Sequence, residues 1–105
     1  MNPAELERAK ERLMADAVVL INTEADRISE AAQRIVEIPG VSAVYSVAGE
    51  VDLVAIVSTA DFDDLTTIIP GGIAKVEGVI GTQTLMAFRQ YSARDEAAAY
   101  DLGAD

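Results

Sequence analysis

Two stretches of this chain recur at nearly constant spacing, and that near-repeat restricts the fold more than any other feature. Ile21-Asn22-Thr23-Glu24-Ala25-Asp26 is answered by Ile56-Val57-Ser58-Thr59-Ala60-Asp61, with an offset of 35 from Asp26 to Asp61. Ile38-Pro39-Gly40-Val41 is answered by Val76-Glu77-Gly78-Val79, with an offset of 38 from Gly40 to Gly78. Self-similarity at a near-fixed period marks a repeated supersecondary unit, and this period suits one βαβ unit. The halves meet at Val47-Ala48-Gly49-Glu50-Val51-Asp52-Leu53. There the apolar runs Val44 to Ala48 and Leu53 to Val57 flank a short connection with one glycine, the pattern of a β-hairpin.

The elements follow in order. A strand over Ala17 to Asn22 and a helix over Asp26 to Glu37 precede the hairpin; a helix over Asp61 to Ala74 and a strand over Val79 to Tyr91 follow it. Two βαβ halves side by side give an α+β, ferredoxin-like βαββαβ fold. Its four-stranded antiparallel sheet carries both helices on one face, with the first and third strands central. The first helix places Ile28, Ala31, Ala32, Ile35 and Val36 on one stripe, and Pro39-Gly40 stops it. The second starts on the acidic run Asp61 to Asp64, which suits a helix N-terminus. It is expected to bury Phe62, Leu65, Ile68 and Ile69 and to break at Pro70-Gly71-Gly72, with a last turn over Ile73 to Val76. No partner residues support those glycines as a phosphate cradle, so an irregular helix end is the expectation.

The central strands carry a further message. Val18-Val19-Leu20-Ile21 and Leu53-Val54-Ala55-Ile56-Val57 are apolar on both faces. An antiparallel sheet with one solvated face alternates instead. The pattern therefore implies that the open face packs on the same face of a second chain, making a homodimer, a dimeric α+β barrel.

Composition removes whole classes of function. The 105 residues suit one domain, and none is cysteine or histidine. Disulfides, Cys or His nucleophiles, the commonest acid–base group and most zinc sites go together, leaving no catalytic residue, metal or cofactor to nominate. Lack of disulfides fits a reducing cytoplasm. Eight basic against eighteen acidic residues give a formal charge of −10, which repels phosphate backbones and anionic lipid, so no direct nucleic-acid or membrane partner is expected. No apolar run approaches a membrane span, and the charged N-terminus is no signal peptide. Asn2-Pro3-Ala4-Glu5 reads as a helix start, with a thin stripe of Leu6, Ala9 and Leu13. The expected layout is a helical extension over 1–16, a core over 17–92 and a helical tail over 93–105 anchored by Tyr100 and Leu102. In the last strand Thr82 and Thr84 share one face; as β-formers they read on composition alone as structural.

Three motifs taken together resemble a known family: the hairpin Tyr45 to Val54, the preceding Ile38-Pro39-Gly40-Val41, and the closing Val76-Glu77-Gly78-Val79-Ile80-Gly81-Thr82-Gln83-Thr84. In order and spacing, over about Ala17 to Tyr91, they are similar to the RAM domain, the C-terminal effector domain of the Lrp/AsnC transcription regulators. Regulators of that family that bind DNA carry a helix-turn-helix ahead of this module. With about sixteen residues before the first strand, the chain is expected to be a stand-alone RAM protein.

The resemblance implies a non-enzymatic module that senses an amino acid or related small metabolite and oligomerises. It implies a dimer through the sheet faces, assembled into an octamer of four dimers, alone or with full-length Lrp/AsnC regulators. It also implies a ligand-binding set: the loop Gly49, Glu50, Val51 and Asp52, and Thr82 and Thr84 from a neighbouring subunit. The chemistry suits the role. Glycine lets backbone N–H groups approach a carboxylate, Asp52 offers an acceptor to an α-ammonium, and the threonine hydroxyls donate or accept. Negative charge at Glu50 disfavours a carboxylate ligand and favours a basic one. The plainer alternative has Gly49 permitting a turn and Asp52 capping it.

Two other functions fit the element order. A small cofactor-free enzyme of the dimeric α+β barrel class would need a pocket inside the subunit, and the chain lacks histidine and paired carboxylates at catalytic spacing. An ACT-like amino-acid-binding module would place its ligand loop after the first strand, where Asn22-Thr23-Glu24 lacks the expected glycine.

Overall fold

A computed structural model of the chain describes residues 2–6, 15–91 and 93. The expected helix through residues 7–14 and the tail after Ser92, with Tyr100 and Leu102, lie outside the described residues. The helix start itself is present: Asn2 Oδ1 accepts the Glu5 N–H at 2.8 Å, and Asn2 Nδ2 donates to Glu5 Oε1 at 3.3 Å.

The elements run β1 (Ala15–Thr23), α1 (Ile28–Val36), β2 (Val41–Ser46), β3 (Leu53–Thr59), α2 (Phe62–Ile68), a 3₁₀ turn (Ile73–Lys75) and β4 (Val79–Ala87). The sheet order is β2-β3-β1-β4, with β1 antiparallel to both β3 and β4 and β2 antiparallel to β3. The fold is the ferredoxin-like α+β arrangement, and β1 and β3 are the central pair.

Register assigns the faces. Rows across β3, β1 and β4 run Leu53–Ile21–Thr82, Ala55–Val19–Thr84 and Val57–Ala17–Met86. The β1 and β3 members of these rows are fully buried under the helices with Ala31, Ile35 and Ile73. Burying one such branched side chain contributes about 1.5–3 kcal/mol. The intervening rows, Tyr45–Val54–Leu20–Gln83 and Ala43–Ile56–Val18–Leu85, make the other face. No described element covers it. Its central residues are half-buried only by one another, while Tyr45 is 57% and Leu85 45% exposed.

The near-repeat is real in three dimensions. Gly40 and Gly78 take φ of +99° and +97° at corresponding positions before β2 and β4. The Gly40 carbonyl accepts the Ser58 N–H at 2.9 Å, and the Gly78 carbonyl accepts the Glu24 N–H at 2.8 Å. Each glycine thus ties the start of one strand to the end of a central one.

Four sequence expectations need correction. The first helix begins at Ile28 rather than Asp26, because the Arg27 N–H closes a turn on the Glu24 carbonyl. Val36 is 43% exposed, since it lies roughly a quarter turn round the helix from the Ile28, Ala31, Ala32 and Ile35 stripe. Phe62 is 58% exposed, because it opens α2 at the margin of the sheet, where the last pair is Ala15–Thr59. The last strand ends at Ala87 rather than Tyr91: Ala87 pairs with Asp16, next to the first residue of β1, and Phe88 is fully exposed. The acidic start and the break of the second helix are as expected. Asp61 Oδ1 accepts the Asp63 N–H, α2 stops at Ile68, and the 3₁₀ turn buries Ile73.

The glycines give an ordered test. A Cβ at Gly78 would stand 2.7 Å from Arg27 Cβ, which is fixed to the backbone; one at Gly40 would stand 2.5 Å from Ile68 Cδ1, a tip that can swing away. At Gly49, φ +147°, a Cβ meets nothing within 4 Å. Alanine should therefore destabilise most at Gly78, by about 2 kcal/mol or more, less at Gly40, and by about 1 kcal/mol at Gly49, where backbone conformation alone is strained. Urea denaturation measures the order, and a Gly49→Ala loss above that of Gly78→Ala contradicts this packing.

Candidate functional site

The six residues singled out from the sequence divide between the hairpin turn and the edge strand β4. The turn spans the gap between Ser46 and Leu53 and is closed by the Val47 N–H on the Asp52 carbonyl at 3.1 Å. Gly49 and Glu50 are exposed; Val51 and Asp52 are half-buried.

Asp52 is held from two directions. Its own N–H donates to the Ile21 carbonyl at 2.9 Å, and its Oδ2 accepts the Thr23 N–H at 2.8 Å. The carboxylate therefore ties the turn to the far end of β1, just past the last β1–β3 pair, Ile21–Leu53. The bond is charge-assisted and joins residues 29 apart in sequence. The plainer sequence alternative had Asp52 capping its own turn; the carboxylate bonds the end of β1 instead. Oδ1 makes no hydrogen bond among the described residues.

Thr82 and Thr84 lie opposite Ile21 and Val19, so both belong to the face that carries the helices. Both are exposed nonetheless, since β4 is an edge strand and α1 and α2 pack over β2 and β3. Leu53, beside Asp52, and Thr82 share one cross-strand row with Ile21 between them. Two strand spacings, about 10 Å, separate the backbones of Leu53 and Thr82, while the Asp52 carboxylate reaches across to β1, the strand beside β4. One chain therefore presents the candidate residues in two groups, the threonines exposed and Asp52 half-buried.

Sequence reasoning passed over Thr23. It ends β1, it is 6% exposed, and its Oγ1 is buried with no hydrogen-bond partner, alone in this among the side chains described. A hydroxyl left so costs about 1–3 kcal/mol. The signal was a hydroxyl residue closing an otherwise apolar run.

A cleft of about 560 Å³ lies elsewhere, inside the subunit. Ile38 to Gly40, Ser58, Thr59 and residues of α2, with Gly71 and Gly72, line it at the opposite end of β3 from Asp52. Asp64 is its one ionisable side chain, so it holds no acid–base pair. Among the described residues no group of three or more His, Cys, Asp or Glu is placed to hold a metal, and no helix is long and apolar enough to cross a membrane.

Likeness to known proteins decides the family. The family model of the Lrp/AsnC ligand binding domain matches residues 16–97. The chain belongs to this family. Among its Lrp/AsnC relatives is the HTH-type transcriptional regulator FL11 of Pyrococcus furiosus, 29% identical over 80 residues, 76% of this chain and 52% of that protein. The chain thus spans about half the length of this curated relative. The crystal structure of TTHA0845 from Thermus thermophilus is 42% identical with a TM-score of 0.70, over 74% of this chain and 98% of that one. The L-Met complex of the transcriptional regulator NMB0573 from Neisseria meningitidis shares the fold at 15% identity and a TM-score of 0.69, over 88% of this chain and 58% of that one. The family is one of ligand-binding domains, and the relatives FL11 and NMB0573 are named as transcriptional regulators.

The two roles of Asp52 separate by substitution. Asp52→Asn keeps an amide oxygen for the Thr23 N–H and should change stability by less than about 1 kcal/mol, whereas Asp52→Ala leaves that N–H unpaired and should cost about 1.5–3 kcal/mol. Urea denaturation of both variants decides it; equal losses would mean that the clasp carries no stability.

Proposed function

We propose that this chain is a non-enzymatic amino-acid-sensing and oligomerisation module of the Lrp/AsnC family, with residues 17–92 as its working unit. The effector, a free amino acid or related metabolite, binds between dimers. The turn Gly49 to Asp52 of one subunit takes its charged groups, and Thr82 and Thr84 of a neighbour take its remaining polar groups. Asp52 Oδ1 accepts from the ammonium while Oδ2 stays on Thr23.

The observation that carries this reading is the division of surfaces. The apolar rows with Val18, Leu20, Val54 and Ile56 lie on one face of the sheet, and the threonine pair lies on the other. A dimer formed through the open face leaves both half-sites free. The threonines stand on the edge strand β4, where their exposed side chains are open to a second subunit, and that subunit completes the site. Four such dimers closing into a ring would place each turn beside a neighbour's β4. The L-Met complex of NMB0573 supports an amino acid as the class of ligand. Partnership with full-length regulators is the extension of the same contacts to a mixed assembly.

Light scattering coupled to size exclusion tests the reading, with and without each of the twenty amino acids. A mass near eight chains, or one that moves with ligand, is expected, whereas a dimer indifferent to all twenty overturns sensing. Ile56→Glu places a charge in the middle of the open face and should reduce the mass to that of single chains. Thr84→Val should abolish the ligand response and leave the dimer intact. Survival of the dimer in Ile56→Glu would move the interface elsewhere.

A further inference from the structure

The ends of the two central strands solve the same problem differently. Thr59 closes β3 and Thr23 closes β1; at 7% and 6% exposure they are the two buried polar residues of the described core. The Thr59 hydroxyl donates to the Asp61 carbonyl at 2.8 Å, within the turn that leads into α2. The Thr23 hydroxyl makes no such bond, although Glu24 to Arg27 form a comparable turn before α1. A threonine hydroxyl can therefore be satisfied at this place in the fold, and at the end of the sheet that carries Asp52 it is not. Buried polar groups without partners are few in folded proteins, and each has a cause.

The surroundings identify the cause. Thr23 N already donates to Asp52 Oδ2, and Thr23 Oγ1 is three covalent bonds from that nitrogen. Rotation about one side-chain bond, between staggered positions that are both common in strands, moves the hydroxyl relative to the carboxylate. The register of β1 against β4 also shifts between Asn22 and Thr23, leaving Ile80 as an extra residue, 67% exposed, beside the pair. A bulge of this kind loosens the ladder where the rotation occurs.

We propose that Thr23 is a positioning residue for the effector site: its hydroxyl is unpaired in the free chain and donates to the Asp52 carboxylate when a ligand ammonium engages the other oxygen of that carboxylate. The inference rests on the amino-acid-sensing reading above and adds to it a group outside the Gly49 to Asp52 loop and the threonine pair. Its physical content is a difference between states. The penalty for the unpaired hydroxyl is present without ligand and removed with it, so ligand binding is favoured by the relief, and a ligand shifts an equilibrium only through such a difference. A carboxylate held by both the N–H and the O–H of one residue also presents its other oxygen in a fixed direction.

Valine is the matched probe, since it keeps the branched shape and removes the hydroxyl. Thr23→Val and Thr23→Ser are compared with the unaltered chain by thermal melting and by calorimetric titration with each of the twenty L-amino acids. Without ligand, Thr23→Val should melt several degrees higher, because the unpaired group is gone. Its affinity for whichever amino acid binds the unaltered chain should fall on the order of tenfold. Thr23→Ser, with the hydroxyl restored, should bind within about twofold of the unaltered chain. A lower melting temperature for Thr23→Val would overturn the proposal, since the hydroxyl would then already have a partner. Unchanged affinity in Thr23→Val would overturn it while leaving amino-acid sensing intact. An unaltered chain that binds none of the twenty overturns the sensing reading, and this inference with it.

Discussion

The pairing of β1 with β3 is the constraint on which the rest of the molecule depends. Seven consecutive pairs, Ala15–Thr59 to Ile21–Leu53, bring together strands that are apolar on both sides. On one side Ala17, Val19, Ile21, Leu53, Ala55 and Val57 vanish completely beneath the helices. Alanines in this layer let the helices lie close to the backbone. The connections put both helices on that side, so the other side has no cover of its own among the described elements. A single chain thus buries half of what its central strands are built to bury. Under the proposed dimer, stability and association are one quantity, and stability depends on protein concentration.

The internal pseudo-symmetry shows where function has been added to this frame. Gly40 and Gly78 do the same work at almost the same φ, and each accepts a bond from the end of a central strand. Departures from symmetry cluster at the end of the sheet that carries the hairpin turn. Thr23, unlike Thr59, has an unsatisfied hydroxyl, and its N–H is clasped by a distant carboxylate. A feature needed only for folding has no reason to differ between two halves with the same folding problem. Differences of this sort point toward binding, where local rules are broken at some cost in stability.

What the sequence made legible follows the range of the interactions involved. Element order, the central position of β1 and β3, the caps and the break at Pro70-Gly71-Gly72 depend on residues within a few positions of one another. The near-repeat supplied the topology, because two βαβ units have few ways to share one sheet. The length of β4 was not legible, since Ala87 stops where its partner β1 begins, and nothing near Phe88 announces that. Phe62 looked like core because the helical stripe takes no account of where the sheet ends beneath it. The candidate site was legible through resemblance alone. Gly49, Asp52, Thr82 and Thr84 stood out through a family pattern, but the bond from Thr23 to Asp52 spans 29 residues, and no local pattern reports it.

The face assignment bears on how ligand and assembly can be coupled at all. Thr82 and Thr84 point to the helix side, whereas Gln83 and Leu85, each one residue away, stand in rows with Leu20 and Val18 on the open side. Side chains on the two faces of one strand share a rigid backbone, so a shift of β4 that closes a ligand against the threonines moves its neighbours on the opposite face as well. β4 is held along one edge alone, by β1, and that ladder is interrupted at Asn22 and Thr23. Asp52, at the same interruption, holds the end of β1 through its carboxylate. Under the proposed function, a ligand gripping Asp52 and a neighbour's threonines acts on both sides of this weak point, and the packing of the dimer face then responds without any direct contact with the ligand.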